Sequence, residues 1–310
     1  ARNFTMAAET IIDSHHHLWR VTDLPWLQAP MTPRIYGPYD AIRRDYLLAE
    51  LRQESAPLGV SGSVYIQCGW PPENAAGETR WVQSLADRSE TPLAIIGWAN
   101  LADPGIGSLL DAHSDSANFR GIRQMLNWHA NAQYRAAGID EATMADKAWR
   151  RGFAELAERG LIFELMIFPE QMAQAAKLAR EYPHAAIVLE HGGLPADESV
   201  AGWAEWREGM ALMAAEHNVF AKISGLGMFN HNCTAQSVAP VLREMVTMFG
   251  AERCMFGSTF PVDKLWVSYA DMIAAYRDAA AELSATERRA LMHDTAWRVY
   301  GFETLKTKNA

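Results

Sequence analysis

The stretch Asp13-Ser14-His15-His16-His17 ends a short apolar run. Alternate side chains of an extended chain share a face, so His15 and His17 project together and His16 points the other way. Two imidazoles side by side suit a divalent metal or an anionic substrate. A tag or surface accident is the competing reading, but the triplet lies between Ile11-Ile12 and Leu18-Trp19, inside apolar sequence. A second point of interest is Glu190-His191-Gly192-Gly193, where the glycines after His191 would let a ligand approach closely. A third is Arg123, in Gly121-Ile122-Arg123-Gln124, with Arg120 as its outward counterpart. A charge inside an apolar run must face a polar site or carry a heavy desolvation cost, and a guanidinium suits bidentate carboxylate recognition. Lys222, two residues before Ser224, raises the same choice between a substrate contact and an ion-paired core residue.

These residues need elements to hold them. Apolar runs end or begin at each of them: Thr10–Asp13, Gly62–Gln67, Leu93–Gly97, Phe119–Gln124, Leu161–Met166, Ala185–Glu190, Val219–Ser224 and Cys254–Ser258. Near-continuous apolar runs are what parallel strands buried on both faces look like. Helical stripes fall between them over Asp40–Pro57, Ala145–Arg159, Pro169–Tyr182, Trp203–His217 and Ser237–Phe249, with Gly160 and Gly250 placed as helix-ending glycines. Strands alternating with helices predict a (β/α)8 TIM barrel, distorted, with an extra C-terminal helix over Ala285–Val299. A doubly wound sheet is the rival, but its Gly-rich first turn is absent. Residues 9–303 are expected to form one domain, with residues 1–8 and 304–310 as tails. The long Trp- and Pro-rich segment 18–39 is the expected active-site loop. Trp19, Trp26, Tyr36 and Trp70, with Trp128, Phe229 and Trp266 further on, would wall a ring-shaped substrate or form loop mini-cores. Trp19, Gln67, Arg123, Trp128 and Lys222 are the expected substrate contacts.

Composition narrows the class. The 310 residues are 49% hydrophobic and 21% charged, as in a globular chain, and the 28 basic against 37 acidic residues give a net charge of −9. No basic cluster offers a nucleic-acid footprint, and no apolar run reaches the ~20 residues of a membrane span. Cys68, Cys233 and Cys254 lack metal-knuckle or disulfide spacing, which fits reduced thiols in a cytoplasmic protein. The expected partner is a small molecule, with self-association left open.

Taken in order, Asp13-x-His15-x-His17, the strand-ending His191-Gly192, Lys222-x-Ser224 and Phe256-Gly257-Ser258-x-Phe260-Pro261 resemble the amidohydrolase superfamily. The resemblance runs from about Ile11 to Phe302 and favours the lactonase-type branch that includes sugar-lactone and pyrone-dicarboxylate lactonases. It implies that His15, His17 and His191 hold one divalent metal such as zinc or manganese, or act without one. It implies hydrolysis of a small lactone or related cyclic ester. Two alternatives are isomerisation or decarboxylation of a small acid at the same site, and an inactive acid-binding barrel. The family's catalytic aspartate within the last motif is replaced here by Thr259, which leaves Asp263 as the nearby carboxylate to activate water, or else to pair with Lys264 or cap a helix. His15, His17, His191 and Asp263 are therefore the expected catalytic set. No lysine sits on the fourth strand to bridge a two-metal centre.

Overall fold

Eight parallel strands, hydrogen-bonded in sequence order, form the sheet of the computed structural model, which describes residues 10–309. They are β1 (Ile11–His16), β2 (Val60–Ile66), β3 (Leu93–Trp98), β4 (Phe119–Arg123), β5 (Ile162–Leu165), β6 (Ile187–Leu189), β7 (Val219–Ile223) and β8 (Cys254–Phe256). One helix follows each strand in turn: α1 (Leu48–Ser55), α2 (Ala75–Ala86), α3 (Ile106–Ser114), α4 (Lys147–Glu158), α5 (Met172–Glu181), α6 (Val200–Ala214), α7 (Ala235–Phe249) and α8 (Tyr269–Ala279). This is a (β/α)8 barrel. All eight expected strands are present, because their apolar runs fill both the inside of the barrel and the layer beneath the helices.

The seam between β8 and β1 is made just beyond the strand ends. Thr259 donates its N–H to the His15 carbonyl at 2.7 Å, and His17 donates to the Phe260 carbonyl at 2.8 Å. Asp13 reinforces the join. Its carboxylate accepts from the Ser258 N–H (2.8 Å), the Ser258 hydroxyl (2.6 Å) and the Tyr269 hydroxyl (2.9 Å). The motif's aspartate is thus fully occupied as a clamp.

Three sequence expectations change. The helix over Asp40–Pro57 starts only at Leu48, because Tyr46 exchanges both backbone hydrogen bonds with Trp19 at 2.9 Å and must stay extended. The C-terminal helix is interrupted. Its two α-helical pieces, Ala285–Arg289 and Thr295–Val299, flank a wider π turn over Ala290–Asp294 that packs against β1 and β8. The residues past 303 are also docked rather than a free tail. Leu305 is buried in the lower barrel cluster, and Lys306 exchanges hydrogen bonds with the Asn118 side chain at 2.7 and 2.8 Å. Arg120, expected outward, donates to the Tyr300 carbonyl and the Thr304 hydroxyl of this same segment. The expected N-terminal tail, residues 1–8, lies outside the described residues.

The C-terminal segment closes the barrel floor. Tyr300 and Phe302 pack with Ile12, Val64, Ile96 and Val188 inside the barrel. The Tyr300 hydroxyl donates to Glu164 on β5. Helix packing around the barrel is equally close at one point: a Cβ on Gly152 of α4 would lie 1.9 Å from the Leu101 carbonyl oxygen. Alanine is normally the better helix former. Gly152→Ala should nevertheless lose about 1–3 kcal/mol, because the backbone carbonyl cannot move aside. Urea denaturation checks this, and a variant as stable as the parent would refute the contact.

Candidate active site

At the C-terminal mouth of the barrel, where such folds carry their chemistry, the strand ends deliver a compact ionisable cluster. The His15 and His191 rings lie 4.5 Å apart by centroid. Glu190, immediately before His191, places one carboxylate oxygen 3.5 Å from His15 Nδ1 and the other 3.7 Å from His191 Nε2. Ligand atoms of His15, Glu190 and His191 all fall within 4.8 Å of one another. His15 Nε2 and Glu190 Oε1 are buried without a hydrogen-bond partner among the described residues. An N,N,O donor set with unsatisfied buried atoms fits one divalent ion.

Two cations already brace this cluster. Arg123 Nη1 reaches Glu190 at 3.3 Å, and its Nη2 donates to the Gln67 carbonyl at 2.6 Å. Beneath it, Lys222 on β7 lies 2.8 Å from Glu164 and 3.5 Å from His15 Nδ1, with no solvent exposure. Burial alone would raise the Glu190 carboxyl, but chiefly the Arg123 and also the Lys222 charge hold it below its ordinary value, so it is ionised. Burial pushes Glu164 up to about 7 despite Lys222 beside it. Burial also lowers the Lys222 amine, against the pull of Glu164 and Glu190.

The histidines are neutral. Burial lowers His191 to about 4 against the opposing charge of Glu190, and its Nδ1 is 3.0 Å from the Ser224 hydroxyl. His17 is held well below its ordinary value by burial and by Arg123. Its Nδ1 lies 2.8 Å from the Ile66 carbonyl oxygen. A carbonyl can only accept, so Nδ1 carries the proton and Nε2 keeps its lone pair. His16 turns away, as expected, toward Tyr65.

Above the cluster opens a cavity of about 720 Å³, within the usual size of small-molecule sites. His17, His191, Arg123 and Gln67 form its floor, while Trp19, Trp26, Tyr36 and Trp70 line its sides.

Residues 12–302 match the amidohydrolase family model. The chain belongs to that family. Among relatives of this amidohydrolase, an uncharacterised protein of Sinorhizobium fredii is 39% identical over 95% of this chain and 99% of its own. An L-fucono-1,5-lactonase of Burkholderia multivorans is 30% identical over 93% of this chain and 95% of its own. A zinc-bound amidohydrolase crystal structure from the same species superposes with a TM-score of 0.78 at 28% identity, covering 94% of this chain and 99% of that one.

The structure brings together most of the residues singled out in this amidohydrolase's sequence, and separates some. His17, expected as a third metal ligand, stands outside the three-residue donor group, its ring 5.2 Å from that of His15. Lys222, expected at the substrate, is an ion-paired core residue below the cavity, because the carboxylate of Glu164 holds it there. Trp128 is not on the cavity wall and instead lies under the Arg135 guanidinium, 5.2 Å away. Asp263 is 2% exposed and does not line the cavity, whereas Thr259 and Val262 of the same turn do. Burial, reinforced by the Asp13 charge, raises the Asp263 carboxyl well above its ordinary value.

Three functional groups were missed. Glu190 was in plain view beside His191. Glu164 interrupts an apolar run as plainly as Lys222 does, and the two charges call for each other. Tyr300 left no local signal, since its partner is 136 residues away.

Proposed function

We propose that this protein is a hydrolase that opens a small lactone or related cyclic ester. The observation that carries the reading is the neutral, cavity-facing His17 beside the His15–Glu190–His191 cluster. The lactonase name of a relative aligned over nearly the whole chain supports it. A divalent ion held by His15, Glu190 and His191 would polarise the ester carbonyl and lower the pKa of a bound water.

The chain's own groups do the rest. Arg123 lines the cavity beside Glu190, and its buried Nε–H has no partner among the described residues. It donates to the substrate carbonyl or an adjacent carboxylate, and each such donor aimed at a developing oxyanion is worth about 3 kcal/mol. His17 Nε2 accepts the proton of the attacking water, since its Nδ1–H is committed to Ile66. Asp263 does not take that part here, being buried off the cavity wall. The aromatic sides exclude water and orient the ring.

The test is a panel of sugar lactones and aromatic lactones, assayed with and without added Zn²⁺ or Mn²⁺. Ring-opened acid from at least one is expected, and zinc should raise the Tm of the parent but not of His15→Ala. No ring opening under any condition, or evolution of CO2 from a carboxylated ligand, would overturn the hydrolase reading. Equal zinc stabilisation of parent and variant would overturn the metal assignment.

A further inference from the structure

The cavity has a charge unlike that of the molecule around it. The chain carries a net −9. Yet among the described residues the cavity is lined by Arg34, Arg123 and Arg135 and by no aspartate or glutamate. Arg135 is exposed at the rim and spends its guanidinium on the carbonyls of His129 and Ala130. Arg123 is the floor cation, already engaged with Glu190 and Gln67. Arg34 is different. It is half-buried, and its guanidinium has no hydrogen-bond or ion-pair partner among the described residues. All five of its N–H donors are available.

Arg34 is nevertheless held in place. Its guanidinium carbon stands 4.2 Å from the Trp26 ring centre and 6.0 Å from that of Tyr39. Trp26 is in turn anchored by its indole N–H to the Cys68 carbonyl at 2.8 Å. The backbone is a tight turn: Arg34 and Gly37 exchange hydrogen bonds at 3.1 and 2.8 Å, with Gly37 at φ +86°. Two other loops grip this turn. Gln133 donates to the Arg34 carbonyl at 2.8 Å, and His231 Nε2 lies 2.8 Å from the Tyr36 carbonyl oxygen. A guanidinium stacked on an indole and fixed from three loops loses little entropy when it binds.

Its place relative to the chemistry follows from the aromatic contacts. From His17 the ring-to-ring steps are 6.3 Å to Trp19 and 5.6 Å to Trp26, and Arg34 lies over the far ring. Arg34 thus lies on the cavity wall two aromatic rings away from His17, on a different segment from the His15–Glu190–His191 cluster.

We propose that Arg34 forms an outer anion subsite, and that the substrate is a lactone carrying a carboxylate or phosphate remote from its ester. The inference rests on the hydrolase reading for the word lactone and on the cavity alone for the anion. The ester sits at the His17 end, and the remote oxyanion meets the Arg34 fork bidentately. Neutral lactones can enter but leave Arg34 unused.

The experiment compares a neutral aldonolactone with its terminally carboxylated and terminally phosphorylated counterparts, in parent, Arg34→Gln and Arg34→Lys. One anionic member should show kcat/KM about tenfold or more above its neutral parent, the difference lying in KM. Arg34→Gln should erase the preference and leave kcat and the neutral lactone unchanged, and Arg34→Lys should restore part of it. Whichever anion shows the larger effect identifies the group. Equal treatment of neutral and charged lactones by the parent, or an equal loss on both in Arg34→Gln, overturns the subsite. A second arm measures binding of the ring-opened acids by calorimetry, comparing the terminally charged acid with its uncharged-terminus counterpart. If no lactone is hydrolysed but the terminally charged acid binds more tightly and loses that advantage in Arg34→Gln, the subsite stands and the hydrolase reading falls.

Discussion

His17→Asn should lower kcat on the best lactone by about 10²–10⁴ while leaving KM within a few-fold. Asparagine keeps an N–H on the atom nearest the chain, so the donation to the Ile66 carbonyl survives. What disappears is the second ring nitrogen, the acceptor for the water proton. The substitution therefore separates proton transfer from architecture. His17 lies at the edge of the ionisable cluster rather than in its centre, so the fold should tolerate it, with thermal stability close to the parent's. A variant that keeps kcat within a few-fold would remove His17 as the base.

The second large effect is on stability. Lys222→Met should cost about 3–5 kcal/mol at pH 8, roughly 10 °C in Tm, because Glu164 is left buried without its cation. The cost should depend on pH in a definite direction. Without Lys222 the Glu164 carboxyl rises further above the ordinary value of 4.5 from its present position of about 7. The folded variant then holds a proton that the unfolded chain releases above pH ~4.5, so its stability falls as pH rises from 5 to 8. The double variant Lys222→Met, Glu164→Gln should recover most of the loss and lose the pH dependence. Denaturation curves at pH 5 and pH 8 decide it. A single variant as stable as the parent at pH 8, or a double variant with no recovery, would mean that the pair is not the dry ion pair described.

Much of this was legible in the chain. The β1 histidines and the strand-six His191 were visible because a polar residue ending an apolar run has few places to go but a barrel mouth. The barrel was legible because its strands are buried on both faces and read as uniform apolar blocks. What stayed hidden depends on pairing across the fold. A helix over Asp40–Pro57 was a fair reading of the spacing, yet Trp19 claims the backbone of Tyr46 and delays the helix. Asp263 sat close to Thr259 in sequence, but position on a turn decides which side chain sees the cavity, and here that is Thr259, at φ +60°. Arg34 gave no signal beyond its presence in a loop rich in tryptophan and proline, because its lack of a partner is a property of the assembled cavity.

The Tyr300 plug also sets an order of events. Its contact with Glu164 spans 136 residues, and Arg120 reaches the same segment across 180. Contacts of such long sequence separation form late. β5 and β7 precede residue 300 in the chain, so in any barrel formed before that segment docks the Glu164–Lys222 pair lies open at the floor. Only the arrival of the last turn seals them. A barrel in which Tyr300–Leu305 has not docked would leave the Glu164–Lys222 pair wet and the lower strand residues Ile12, Val64 and Val188 uncovered.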